Sequence, residues 1–392
     1  MKRVNPVTRG ILFLMGDEKR QRITIPILAV LISLIVSSIV LLVMGKNPFE
    51  AFTSFIQGSG IIPKRAYGAK QNMFTDFLGL VDAWTPMLFA SLAVAVAMRA
   101  GYFNIGVSGQ MLLSGFIATV AVGYAETLPA AVAKPLVVLI GLVTGAVVAA
   151  FIGFLKTKWN INEVVSAIML NYIIRYVVSF FVKTAINNPN TRQSWPVSEA
   201  SRLTLQDVEI GGLKMDIPLG IILAVVAVIL VQFMFSKMKL GFELRAIGGN
   251  PIASKYAGIN VGRSTILVMA LSGALAGLAG VTYYLGYYGS IQPDVLISTG
   301  FDAIAVCILG NSNPIGIIFS SLLISVIDKG STYLQSSIGV RAEIASLITG
   351  LILLFSACGA FFAYLINRSR QREEDTKNLA AGRQAGGKEA QA

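Results

Sequence analysis

The stretch ITIPILAVLISLIVSSIVLLVM, residues 23–44, runs 22 residues without a charge. At 1.5 Å per residue a helix of that length reaches about 33 Å, enough for the ~30 Å hydrocarbon core of a bilayer. Hydrocarbon offers no water to backbone N–H and C=O groups, so such a segment must satisfy them internally as a helix. Nine further candidates follow, giving predicted spans at 23–44, 80–98, 102–123, 132–155, 161–182, 217–235, 264–285, 295–310, 314–334 and 342–366. The chain is 55% hydrophobic and 13% charged, about half the ~25% charge of soluble domains. Too little polar surface is left to cover a water-facing globule. The expected fold is an all-α polytopic membrane protein of about ten transmembrane helices. The spans beginning at 80, 295 and 314 read as short or interrupted. The first run is too long for a signal-peptide core and lacks a small-x-small cleavage site, so it is expected to be a retained helix.

Lys and Arg set the orientation. With a cytoplasmic N-terminus, the inside segments are 1–22, 99–101, 156–160, 236–263, 311–313 and 367–392, and they hold twenty of the 32 Lys and Arg. Both termini are therefore expected in the cytoplasm. The formal charge of +12 follows from topology and calls for no nucleic-acid partner. Residues 1–22 form a cytoplasmic segment, 23–366 the membrane domain, and the charged, Gly/Ala-rich 367–392 a disordered tail. Outside, NPFEAFTSFIQ suits an amphipathic surface helix, and 187–216, rich in turn formers, reads as a loop. Five spans in each half would give halves of opposite orientation, as in inverted-repeat transporters.

The chain has no histidine, which counts against zinc hydrolase chemistry. Cys307 and Cys358 lie in apolar runs and form no disulfide framework. Polar residues inside the apolar runs carry more information. GYFNIGVSGQM places Asn104, Ser108 and Gln110 among three glycines where a membrane helix should begin. LGNSNPIG, from Leu309, repeats such a break in the second half. Paired interruptions point to a translocation pathway, but amides can equally bond neighbouring helices, and both readings stay open. Asn171 and Tyr172 in the fifth span and Asp302 in the eighth join the pathway candidates. Glu163 reads as a capping or snorkelling residue. Tyr283, Tyr284, Tyr287 and Tyr288 read as an interfacial belt in preference to a ligand platform. The small-residue spacings GLVTG and SGALAGLAG are assigned to helix packing.

The longest cytoplasmic loop is SKMKLGFELRAIGGNPIASKYAGINVGRS, from Ser236. It breaks at Gly248 and Gly249, and Asn250 and Pro251 then supply an N-cap and first helical residue. Gly258 supplies the stop. Ala253 and Ala257, four apart, give this short helix a small face suited to docking on another protein. Glu243 and Arg245 are expected to fix the loop by charge pairs. ELRAIGGNPIASKYAGI resembles the coupling segment of permease subunits of bacterial ATP-binding cassette importers, in the branched-chain amino acid/ribose family. FNIGVSGQM and SAIMLNYI resemble the nucleoside-import branch, with a departure at Ser108, where that pattern usually has Glu. The resemblance covers about residues 80–365. It implies a multi-pass protein of the bacterial cell membrane, working with a second permease subunit (a second copy of this chain or, as favoured in this branch, a different chain), a cytoplasmic ATPase and an external substrate-binding lipoprotein, with a nucleoside as cargo. It implies a transport subunit, not an enzyme, that binds no cofactor itself while the ATPase uses ATP. In agreement, the chain has no Gly-x-x-x-x-Gly-Lys-Ser/Thr phosphate loop. Other readings are a permease for a sugar or branched-chain amino acid, an ion-coupled transporter acting alone on Asp302 and Glu163, and a membrane enzyme, which the missing histidines disfavour.

Overall fold

The computed structural model describes residues 18–68, 70–340 and 343–359, with single positions beyond, to 371. The segment expected to be cytoplasmic falls outside them up to residue 17, and the tail expected from 367 falls almost wholly outside them. Contacts divide the chain into two units, residues 1–48 with 347–392, and residues 49–346.

In the first unit, α1 (Glu18–Val43) lies against the residues of α13 (Glu343–Ala357) from Leu347 onward. Ala29, Ser33 and Ser37, four apart, are buried, and Ser33 Oγ bonds Ala29 O at 2.6 Å and Leu351 O at 3.3 Å. Small residues on one stripe let helix backbones approach. Ile27, Leu31, Ile35 and Ile39 form the opposite, outward stripe.

The second unit is organised around α3 (Met73–Arg99). Its entry is fixed locally: the Asn72 side chain accepts from Thr75 N, and Asn72 N donates to Thr75 Oγ1, a reciprocal capping box. Every residue from Thr85 to Ala97 is buried. A helix apolar all round has no solvent face to keep and goes to the middle. Around it lie α2 (Pro48–Gly58), α4 (Val107–Ala118, continued as a π turn over Thr119–Gly123), α5 (Ala130–Trp159) and α6 (Glu163–Thr184). Then come α7 (Gly220–Lys237), α8 (Lys239–Gly249), α9 (Pro251–Tyr256), α10 (Val261–Thr282, with a π turn to Tyr287), α11 (Thr299–Leu309) and α12 (Pro314–Ile338). The tightest pair is α5 with α10. A Cβ on Gly145 would lie 2.0 Å from Gly273 O, and one on Gly277 1.9 Å from Gly141 O. The two small-residue spacings therefore pack on each other.

Among the described residues seven helices are long and apolar enough to cross a membrane, and Val107–Gly123, Thr299–Leu309 and Ser346–Ser356 are shorter apolar helices. The chain is a predominantly helical, polytopic membrane protein. Of the three spans expected to be short, the one at 295 is short, and the other two are not. The segments at 80 and 314 belong to full-length helices of 27 and 25 residues, α3 and α12; the short pieces are α4 and α11. Asp82 and Trp84 interrupt the hydropathy of α3, yet each is paired inside the protein, so the helix does not break there.

A second correction concerns the all-α expectation. Part of 187–216 forms an antiparallel ribbon, β1 (Thr204–Ile210) with β2 (Leu213–Pro218). Gly211 and Gly212, at φ +61° and +80°, make the two-residue turn that matches strand twist. The Gly-Gly flanked by VEI and LKM was the available signal. The NPFEAFTSFIQ helix forms as α2, but Ala51, Ser54 and Phe55 are buried, with a Cβ on Gly330 of α12 only 2.3 Å from Phe55 O and Ser337 Oγ donating to Ser54 Oγ at 3.0 Å.

Candidate functional site

Where α3 ends, Gly101 takes φ +77° and the chain turns back into the protein. Asn104 is fully buried and saturated. Its Nδ2 donates to Gln110 Oε1 (3.0 Å) and Ser272 Oγ (2.8 Å). Its Oδ1 accepts from Gly106 N and Gln110 Nε2, both at 3.1 Å. Ser272 Oγ in turn donates to Ala93 O at 2.6 Å. One amide thus joins α3, α4 and α10. Ser272 lies eleven residues into α10, about 16 Å along the axis, so the knot sits at mid-depth. Asn171 of α6 completes it: its Nδ2 donates to Ile105 O, and its Oδ1 accepts from Gly109 N, both at 3.0 Å. Irregular backbone at this depth needs such partners because no water supplies them.

The break also leaves a half-helix, α4, starting inside the unit, and α11 starts beside it. Ser108 Oγ donates to Ile297 O at 3.0 Å. A Cβ on Gly300 would lie 2.5 Å from Ser108 N. The N-termini of two short helices therefore meet among neutral hydrogen-bonding groups.

The predicted pathway residues divide accordingly. Asn104, Ser108, Gln110 and Asn171 are brought together. Asp302 is in the first turn of α11, two residues past Gly300, half-buried. Tyr172 is not brought in: it is 49% exposed, because neighbours on a helix point about 100° apart. Ser272 was missed, since nothing local marks it as a partner of residue 104. Also missed was Asp82, which accepts from Thr204 Oγ1 at 2.7 Å at the ribbon end of the unit, and Arg99, at the opposite end. Glu163 pairs with Lys156 at 2.9 Å.

At that opposite end the loop 236–263 is two helices, α8 and α9. Asn250 Oδ1 accepts from Ile252 N and Ala253 N, both at 3.0 Å, with Pro251 as first helical residue and Gly258 at φ +83° after the end. Ala253 and Ala257 are exposed, and so are Ile252 (71%) and Tyr256 (90%), an apolar pair one turn apart. They border a cleft of about 1060 Å³ with Tyr102, Lys156 and Lys255 in its wall. Glu243 pairs with Lys239 at 3.6 Å, while Arg245 Nε donates to Gly241 O at 3.3 Å, so the two do not pair with each other. Gly248 abuts the end of α3; Gly249 faces open space.

The chain is 33% identical to a nucleoside ABC transporter permease protein, NupB of Lactococcus lactis subsp. cremoris (strain MG1363), over 87% of this chain and 92% of that one. It is 29% identical to the guanosine ABC transporter permease protein NupP of Bacillus subtilis (strain 168), over 91% and 99%. It is likewise 29% identical to a glucose ABC transporter permease protein, TsgB13 of Haloferax volcanii, over 86% and 87%. No solved structure matches the chain. The family described as branched-chain amino acid transport system / permease component matches residues 78–357, a stretch that takes in α4, α11, the polar knot and the capped helix α9, and the chain belongs to that family.

Proposed function

We propose that this chain is the membrane-spanning permease subunit of an ATP-driven importer, and that its cargo is a nucleoside. The observation that carries the cargo is the near-complete overlap with permeases named for nucleosides and guanosine. The chemistry at mid-depth supports it. A nucleoside is uncharged, with a planar base and a hydroxylated sugar. It needs neutral donors and acceptors beside apolar surface, as Asn104, Ser108, Gln110 and Asn171 offer. In the state described here Asn104 and Gln110 bond each other while Ser108 and Asn171 are held by backbone groups, so passage requires the knot to open. Asp302 lies along the same route. An importer gains nothing from tight binding at this point, because a ligand must also leave.

The energy comes from a separate ATPase seated on α9, where Ile252 and Tyr256 project and Ala253 and Ala257 allow close approach. A second, different permease subunit completes the pathway, and an external lipoprotein delivers cargo over residues 187–216. The chain crosses the membrane ten times, in two halves of opposite orientation with both termini in the cytoplasm; the Lys and Arg bias supports the placement of the termini. A sugar is the second reading, favoured by the haloarchaeal glucose permease. The test is uptake of labelled uridine and adenosine by cells carrying the full complex. Competition by other nucleosides, with none by glucose, ribose or leucine, is expected. Competition by glucose alone would leave the permease and remove the nucleoside. Uptake that survives loss of the ATPase but stops when ion gradients collapse would remove both in favour of an ion-coupled carrier.

A further inference from the structure

Arg99 is a half-buried cation for which no carboxylate partner is found among the described residues. Its Nε donates to Ser312 O at 2.7 Å, and its guanidinium lies 4.8 Å from the centre of the Phe235 ring. Ser312 belongs to the turn between α11 and α12, where Asn311 and Ser312 both take left-handed backbone, at φ +53° and +51°. The turn follows the C-terminus of α11, where the helix dipole favours a cation. Phe235 is buried near the end of α7, just before α8. The backbone of Arg99 has a second neighbour. A Cβ on Gly248, at the end of α8, would lie 2.5 Å from Arg99 O and 3.0 Å from Gly101 N. Two backbones in direct contact, with no side chain between them, have no soft element to absorb a displacement.

Three interruptions therefore meet at one residue: the α3–α4 break, the α11–α12 turn and the α8–α9 pair. Three residues past Gly101, Asn104 ties α3, α4 and α10 together. We propose that Arg99 and Gly248 form the joint that passes a movement of α8 and α9 to both interrupted segments at once, so that the knot around Asn104 and the α11 half-helix respond as one body. This rests on the permease reading, in which an ATPase moves α9. Arg99 and Gly248 are positioning residues and touch no cargo.

The test uses the complete complex in lipid vesicles, with ATPase activity measured with and without cargo-loaded binding protein, alongside uptake of labelled uridine and adenosine. Arg99→Met is expected to assemble and to lose most of the stimulation of ATPase by loaded binding protein, with uptake falling about tenfold. Arg99→Lys, which can still donate to Ser312 O and lie over Phe235, is expected to recover more than half of both. Gly248→Ala, which drives a methyl into the Arg99 carbonyl, is expected to uncouple like Arg99→Met. Gly249→Ala, whose Cβ would meet nothing within 4 Å, is expected to change the stimulation ratio less than twofold. Normal stimulation in assembled Arg99→Met and Gly248→Ala complexes overturns the joint while leaving the permease reading intact. Equal losses in Arg99→Met and Arg99→Lys overturn the role given to the hydrogen bond and ring contact. If the wild-type complex itself shows no ATP-dependent uptake, the permease reading falls, and the joint with it. Should Arg99→Met fail to assemble, the comparison of Gly248→Ala with Gly249→Ala decides.

Discussion

Replacing Asn104 by Leu removes four hydrogen bonds from a fully buried site. Three partner groups are left without an alternative: both ends of the Gln110 amide and Gly106 N. Ser272 keeps its bond to Ala93 O. A buried polar group deprived of its partner costs about 1–3 kcal/mol, which sets an upper figure of roughly 9 kcal/mol for three. Interhelical bonds in membrane proteins average about 0.6 kcal/mol, which sets a lower figure near 2 kcal/mol for four. The expected destabilisation of Asn104→Leu is therefore about 2–9 kcal/mol. Gln110→Leu, which strands only part of the Asn104 amide, should cost less. The double variant removes both amides together and leaves only Gly106 N stranded, so it should be more stable than the sum of the single losses requires, by at least ~1 kcal/mol for the two shared bonds. Reversible unfolding in mixed micelles, followed by tryptophan fluorescence, measures all three variants. If the two single costs add to within about 0.5 kcal/mol, as independent sites do, the amides do not hold each other and the knot is misread.

In a background lacking Cys307 and Cys358, Thr191→Cys should react with an impermeant thiol reagent on whole cells and Tyr256→Cys should not; the reverse pattern would invert the proposed orientation. Both positions are exposed, whereas Ser194 and Ser254, the serines nearest to them, are buried. Gly277→Val should abolish accumulation of folded protein, because even a Cβ there would lie 1.9 Å from Gly141 O; normal expression with an unchanged unfolding midpoint would contradict the α5–α10 contact. Asn250→Ala should cost about 1 kcal/mol at the cap and, by fraying a six-residue helix, weaken capture of the ATPase measured by co-purification. Unaltered capture would argue that α9 is not the docking element.

Much of the fold was legible because it is locally determined. An apolar run of bilayer length has one solution in hydrocarbon, and seven of the predicted spans coincide, among the described residues, with helices long enough to cross a membrane, while those at 102, 295 and 342 hold only shorter apolar helices. The capped helix α9 was legible residue by residue, since Asn250, Pro251 and Gly258 act on their own neighbours within the chain. The GLVTG and SGALAGLAG spacings marked close packing without saying that they pack on each other. The Gly-Gly ribbon turn was equally local, and was passed over because its flanking strands are short and their alternation is weak.

The sequence by itself determined that the chain is helical, membrane-spanning and interrupted near residue 104, because hydropathy, glycine and caps act within a few residues of where they are written. Only the tertiary structure decided what those interruptions do. Asn104 finds Ser272 across 168 positions, Ser108 finds Ile297 across 189, and Arg99 finds Ser312 across 213. It also separated Asn171 from Tyr172, turning one inward and the other out. A side chain's hydrogen-bonding capacity is a property of its type, but its partner is a property of which helix lies opposite. That is set by the packing of the whole unit, to which no short stretch of sequence refers.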